Sequence, residues 1–383
     1  MRQVERAIFD IRRGLPVLLR DEAGDTLVHP IEGIGDEQLR KLTQTAGCTP
    51  GLVLTAHRLA AMGHNFNDDR GTRGGRLRIE GVSDSDTLTL LAASRYARGV
   101  DGDTWQALTM ADEAALAMMR RALLIPAAIT ARIDPEQSER IEQLIAEGEL
   151  LAVSAESARA CQNSTVGLLG RISEAEIPLV EAERTRFILF REPDGLREHI
   201  AVVIGDPEQW DQAVPVRLHS ACLTGDLFGS LRCDCGEQLR NGVDSIQRMG
   251  GGVLLYLAQE GRGIGLANKL RAYAMQDEGL DTIDADQVLG FGEDERHYAM
   301  ALDILIELGI RRIQLLTNNP AKLAAMNQGG IEVVNRQGIY GRLTNQNHRY
   351  LTAKAHRAGH LLDEVLDEQE ETGSATFSRA ASK

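Results

Sequence analysis

The chain has 383 residues, of which 43% are hydrophobic, enough to bury the cores of two or three domains without disulfide support. Its formal charge of −14 argues against a nucleic-acid binder, because phosphate backbones are held by clustered Lys and Arg, and any anionic ligand has to be met by a local basic pocket. Aromatic residues at 4% offer no stacking platform for single strands.

The opening run "MRQVERAIFDIRRG" reads as a charged amphipathic helix closed by Gly14, not as a signal peptide. No stretch approaches about 18 unbroken apolar residues, and the five cysteines are an odd count. The expectation is a cytoplasmic, reduced protein with no membrane contact, in which the sequon at Asn163 is incidental. "PVLL" and "GLVLT" (51–55) predict strands, the polar, Gly-rich run Asn65–Gly81 predicts a surface loop, and "ADEAALAMMRRALLIPAAITARI" predicts a helix leading into a strand. These elements define a first mixed domain, 1–133. At "DPEQSERIEQLIAEGEL", Asp134 is an N-cap candidate and Pro135 the first helical residue, so 134–169 reads as a linker helix region.

A second domain is expected over 170–366, ahead of a polar, flexible tail at 367–383. In it "EQLRNGVDSIQRMG" places Leu239, Val243, Ile246 and Met249 on one helical face, and "GVLLYL" is a buried-strand run. "RIQLLTNN" predicts another strand, followed by a helix opened by Pro320 and ended by Gly329 and Gly330. The fold class is α/β, with two mixed α/β domains and no internal repeats.

Cys222, Cys233 and Cys235 fall within "CLTGDLFGSLRCDC", a spacing that differs from the paired C-x-x-C units of zinc fingers. Three readings follow from spacing: a catalytic zinc with an open position, a structural zinc completed by a histidine, or buried or redox-active thiols. Cys48 and Cys161 stand alone and read as ordinary buried cysteines. "GRGIGL" lacks the spacing of a dinucleotide fingerprint and no P-loop occurs. His356 and His360 in "HRAGH", without acidic or thiol company, read as a polar helix face.

Around the thiols, "RLHSACLTGD", "LRCDCGEQL", "LYLAQEGRGIGL", "NKLRAYAMQDEGLDT", "LGFGEDERHYAMALDIL" and "LLTNNPAKLAAMNQGGIEVV" together resemble GTP cyclohydrolase II over roughly residues 170–362. The front of this region, "RISEAEIPLVEAERTRFILF", looks like that family's N-terminal strands. The resemblance implies Zn²⁺ held by Cys222, Cys233 and Cys235 plus a water, directing hydroxide at C8 of guanine. Formate and pyrophosphate leave, and the product is 2,5-diamino-6-ribosylamino-pyrimidinone 5′-phosphate, the first intermediate of riboflavin synthesis. By the same resemblance Asp294 is the proton acceptor and Arg296 the residue usually named as nucleophile at the α-phosphate. A guanidinium that keeps its proton is better suited to clamp phosphoryl charge. Tyr273 matches the tyrosine expected to orient the water or the opened ring, a position tied to formate release. Nucleotide contacts fall on Arg217, His219, Ser220, Gln238, Glu260, Gly261, Arg262, Thr282, Thr317 and Lys322. Mg²⁺ on the triphosphate and a homodimer complete the expectation.

Two departures from the family pattern, Ala221 before the first cysteine and "NRQGIYGRLTNQNHRYL" in place of a more apolar segment, leave alternatives open. These are a paralogue with another purine nucleotide or an incomplete reaction, and a non-catalytic, zinc-stabilised nucleotide-binding protein. The first domain weakly resembles dihydroxybutanone phosphate synthase. "RDEAGDTLV" stands where that family has an acidic Arg-Glu-Asn-Glu cluster, and "TMADEAA" where it has Gly-His-Thr-Glu. Without those ligands and that base the domain is expected to be degenerate, with a structural or dimerising role.

Overall fold

The structure, a computed structural model, describes residues 2–64, 74–79, 84–97, 105–162, 169–341 and 344. Asn163, His356, His360 and the 367–383 tail lie outside the described residues. The described residues form two compact units, one drawn from 1–163 and 263–295, the other from 164–262 and 296–383.

The first unit opens with α1 (Arg2–Arg12), which buries Val4, Ala7, Ile8 and Ile11 on one face, as the sequence pattern predicts. Then follow β1 (Val17–Arg20), β2 (Thr26–Pro30), α2 (Asp36–Ala46), β3 (Gly51–Thr55) and α3 (Ala56–Ala61). Next come β4 (Gly74–Arg78), α4 (Ser85–Ala93), β5 (Trp105–Gln106), α5 (Met110–Arg121) and β6 (Ala127–Arg132). Helix α6 (Ser138–Ala146), β7 (Leu151–Ser154) and α7 (Ala155–Arg159) end this stretch. The sheet runs β5-β4-β3-β6-β2-β1-β7, antiparallel except for the β1–β7 pair. Leu18, Leu27, Leu52, Leu54 and Ile129 point to one core, closed by Leu42 of α2, Leu88 of α4 and Ile141 of α6.

Two sequence expectations change here. The second half of the run read as a surface loop is strand β4, because it pairs with β3 and β5 and buries Leu77. Beyond Asp134, which caps a short turn by accepting from Glu136 N, the presumed connecting stretch also carries β7, paired to β1. Cys48 and Cys161 are half-buried, not buried.

The second unit begins with β8 (Gly170–Glu176), β9 (Thr185–Arg191), β10 (Glu198–Ile204) and β11 (Val214–Ser220). After them come α8 (Leu223–Asp226), α9 (Cys235–Arg248) and β12 (Gly252–Leu257). The chain then contributes α10 (Leu266–Asp277) and α11 (Thr282–Val288) to the first unit. It completes the second with α12 (Ala299–Glu307), β13 (Arg312–Leu316), α13 (Pro320–Gln328) and β14 (Glu332–Gln337). This sheet runs β14-β13-β11-β12-β10-β9-β8, parallel from β14 to β12 and antiparallel from there to β8. Alternate residues of β12 face opposite sides. Val253, Leu255 and Leu257 pack with α12 and Met326 of α13, whereas Leu254 packs with Val243 and Ile246 of α9. No described helix is long and apolar enough to cross a membrane.

Candidate active site

Strands β11 and β13 are parallel neighbours, with Val214 opposite Ile313 and Val216 opposite Leu315. From its carboxyl end β11 leads through α8 and α9 to β12 on one side, while β13 leads through α13 to β14 on the other. Connections that diverge in this way open a crevice at the strand ends, the usual place for a ligand in an open α/β sheet. Arg217, His219 and Ser220 lie on β11 towards that end, Thr317 directly follows β13, and Lys322 lies on α13.

Two buried cations cross between these elements. Lys322 Nζ donates to Leu218 O at 2.6 Å, and Arg217 Nη1 to Leu316 O at 3.4 Å. Arg217 also donates to Gln238 Oε1 at 2.9 Å. Burial pushes its guanidinium down to about 10, opposed by Asp234, Cys235 and Asp226, so it keeps its charge at neutral pH. Among the described residues, Ser220 Oγ and Arg217 Nε are buried without a hydrogen-bond partner.

The three predicted thiols converge. Cys222 precedes the single turn α8, and Cys233 lies two residues before Cys235, which opens α9. Their sulfurs lie within 4.8 Å of one another, Cys222 Sγ and Cys233 Sγ at 3.7 Å. That is no disulfide, and it matches the edge of about 3.75 Å expected when zinc takes sulfurs at about 2.3 Å tetrahedrally. Gly225 makes the packing possible: a Cβ there would stand 2.7 Å from Cys233 Sγ and 3.1 Å from Cys222 Sγ. At Gly236 a Cβ would strike the Gly225 carbonyl, so the pair lets α8 and α9 meet closely. The hydrogen bond with Cys222, together with burial, pushes the Cys233 thiol up to about 11. A cation reverses that preference. The donor set therefore fits zinc, and among the described residues no fourth histidine, cysteine or carboxylate joins it.

A carboxylate that sequence reading passed over organises the neighbourhood. Asp226 Oδ2 accepts from Cys222 N at 2.9 Å and from the Tyr256 hydroxyl at 3.0 Å, and Asp226 Oδ1 lies 3.1 Å from His219 Nε2. Because guanidinium only donates, Arg217 Nη2 at 3.5 Å from His219 Nδ1 makes that nitrogen an acceptor, which puts the ring proton on Nε2 facing Asp226. Burial holds His219 below its ordinary value despite Asp226, so the ring is neutral at neutral pH. Tyr256 stacks on it at 5.6 Å and stays protonated, pushed up by burial and by Asp226. The only sequence signal for Asp226 was its place in "CLTGD", four residues after a thiol, where it reads as a helix-turn residue.

Glu260, Gly261 and Arg262 follow β12. Glu260 Oε2 accepts from Leu223 N at 2.6 Å, tying this turn to the thiol loop. Gly261 and Arg262 both hold left-handed backbone, at φ 62° and 58°, and for Arg262 that conformation is strained. Arg296 is half-buried in the loop before α12. The other predicted residues belong to the first unit. Tyr273 is half-buried on α10 with the Lys269 ammonium 5.6 Å from its ring, Thr282 opens α11 after the cap Asp281, and Asp294 is exposed beyond α11.

Residues 170–338 match the family model for GTP cyclohydrolase II. The GTP cyclohydrolase-2 of Xylella fastidiosa is 42% identical over 362 residues, spanning 94% of this chain and 87% of that protein. The riboflavin biosynthesis protein RibBA of Thermotoga maritima is 51% identical over 172 residues, 45% of this chain and 43% of that one. Among solved structures, RibBX, a two-domain 3,4-dihydroxy-2-butanone 4-phosphate synthase from A. baumannii, overlaps 82% of this chain and 93% of its own at 18% identity and a TM-score of 0.35. Identity of that order with a full-length relative, joined to the matched span that holds all three convergent thiols, places this chain in the GTP cyclohydrolase II family.

Proposed function

We propose that this chain hydrolyses GTP to 2,5-diamino-6-ribosylamino-pyrimidinone 5′-phosphate, formate and pyrophosphate, the opening step of riboflavin synthesis. The observation that carries this reading is a three-sulfur cluster of zinc dimensions beside a switch-point crevice crossed by two buried cations. One water is consumed at the α–β phosphoanhydride and two at C8, so nucleophile delivery and phosphate binding have to coexist. When bound, zinc supplies Lewis acidity that makes an oxygen nucleophile available near neutral pH.

The chain's own residues supply the rest. Arg217 and Lys322 offer fixed positive charge to phosphate oxygens, and Ser220 Oγ and Arg217 Nε offer donors. Thr317 lies at the end of β13 ahead of the α13 N-terminus, where backbone donors favour an anion. Glu260 can take the paired donors of a guanine edge, with Gly261 giving the backbone its turn, and Gln238 and Arg262 complete the polar lining. His219, held neutral between Arg217 and Asp226, orients rather than exchanges charge. Asp294 is assigned as proton acceptor, Arg296 as the clamp on developing phosphoryl charge, Tyr273 as the group orienting the attacked ring, and Thr282 as a nucleotide contact. Mg²⁺ accompanies the triphosphate, and the protein works as a cytoplasmic homodimer with a chemically degenerate N-terminal domain.

Product analysis tests the reading. Incubated with GTP, zinc-loaded protein is expected to release formate and pyrophosphate in equal yield. Pyrophosphate without formate, or binding without turnover, would overturn it.

A glycine in mid-helix supplies a second test. Glycine costs a helix about 1 kcal/mol relative to alanine, yet Gly242 sits within α9, where a Cβ would stand 2.5 Å from Arg217 Cδ. Gly242→Ala is therefore expected to favour the helix while displacing Arg217, raising KM for GTP roughly three- to tenfold with kcat less affected. An unchanged KM would remove Arg217 from substrate binding.

A further inference from the structure

Segment 263–295 belongs to the family-matched span but packs with residues 1–163, and the bonds that hold it there are specific. Arg58, on α3, is 1% exposed, and its guanidinium donates to Leu91 O at 2.7 Å, Ser94 O at 2.8 Å, Val288 O at 3.1 Å and Leu90 O at 3.4 Å. It thereby joins the end of α4 to the end of α11. Thr55, the cap of α3, donates its hydroxyl to Gly290 O at 2.7 Å. Arg120 of α5 pairs with Glu295, which also accepts from Gly292 N at 2.8 Å, so the loop holding Asp294 is fixed from the same side.

Helix α10 is held likewise. Fully buried Asn268 donates to Leu123 O at 3.1 Å, and Leu123 adopts φ 60°, a strained backbone for a non-glycine residue, to present that carbonyl. Arg271 pairs with Glu32 at 2.7 Å, and Glu32 in turn accepts from Ile125 N at 2.6 Å. Apolar packing of Ile264, Ala285, Leu289 and Phe291 with Ala93 supplies adhesion. Adhesion is non-directional, whereas bonds to backbone carbonyls set register. A buried guanidinium facing only carbonyls carries a desolvation cost that apolar packing would avoid, and burial lowers its pKa to about 10. Its presence at this position makes sense if the register of α11 matters.

We propose that the N-terminal region is the positioning scaffold of segment 263–295, with Arg58 as its central clamp, so that a domain without chemistry of its own orients Tyr273, Thr282 and Asp294. The inference rests on the reaction proposed above. It gives the N-terminal region a function in that reaction and makes Arg58 a positioning residue, not a catalytic one.

The test uses full-length, zinc-loaded protein carrying Arg58→Met, which keeps length and removes the donors. Three results are expected: zinc content unchanged, amide exchange in peptides 266–295 accelerated about tenfold with peptides of β11 and β12 unaffected, and turnover lowered roughly three- to fivefold together with a rise in KM for GTP as the Thr282 contact loosens. The formate yield per pyrophosphate should also fall below one, a ratio that a fraction of globally unfolded, inactive molecules cannot alter. Thr55→Val, which deletes the donor to Gly290, should shift the same readouts less and carries the test if Arg58→Met does not fold. Unchanged exchange in both variants, or faster exchange with an unchanged product ratio and kcat, overturns the proposal. Wild-type protein inert towards GTP overturns the reaction instead, and amide exchange alone then decides whether Arg58 clamps the segment.

Discussion

Cys233→Ser is expected to strip the metal and lower GTP turnover by about a thousandfold or more, while leaving both units folded. A serine hydroxyl stays protonated at neutral pH and is a poor zinc ligand, and two sulfurs do not make a tight site. The second unit does not depend on the thiols for its main core: Val216, Leu218, Val253, Leu255, Ile313 and Leu315 are buried together without them. Chelating the wild-type protein should reproduce the loss, and stoichiometric zinc should restore the wild type but not the variant. The measurements are zinc content, formate release and a thermal melt. A variant that loses its cooperative transition would make the metal structural and end the catalytic reading of the cluster.

The sequence made much of this arrangement legible because the decisive signals are local. Three thiols within fourteen residues converge since one helix turn and one helix start present them, and around them the strand runs are buried almost continuously while the helix α9 buries one face. What was not legible depends on partners distant in the chain. "GGRLR" looks like loop until β3 and β5 flank it, and Gly74 is there because a Cβ would strike Leu54 O. The attachment of α10 and α11 to the first unit rests on single side chains, Arg58, Thr55 and Asn268, more than a hundred residues from the carbonyls they bind. Asp226 was hidden for the opposite reason: its partners are close in the chain, and nothing in spacing shows that one carboxylate holds both His219 and Cys222.

That carboxylate leads to the second large effect. Asp226→Asn is expected to lower kcat about 10- to 100-fold, the usual range for loss of a group that orients metal ligands and their neighbours, and to weaken zinc about tenfold. The asparagine oxygen can replace Oδ2 and keep the bonds from Cys222 N and Tyr256. Its amide then faces His219 Nε2, where two donors meet. Relief requires the His219 proton to move to Nδ1, which faces the Arg217 guanidinium, again donor against donor. The oxygen at the Oδ2 position stays 3.2 Å from His219 Nε2 and can still accept from it, but the amide group in the Oδ1 position sets a donor against the same proton, so the imidazole shifts and the crevice loses part of its arrangement although the side chain is isosteric. Tyr256→Phe removes only one of the donors and should cost severalfold less. Steady-state kinetics and competition with a zinc chelator check both variants. Wild-type kcat and zinc affinity in Asp226→Asn would show that the network is packing alone, and that the cysteines and His219 hold their places without it.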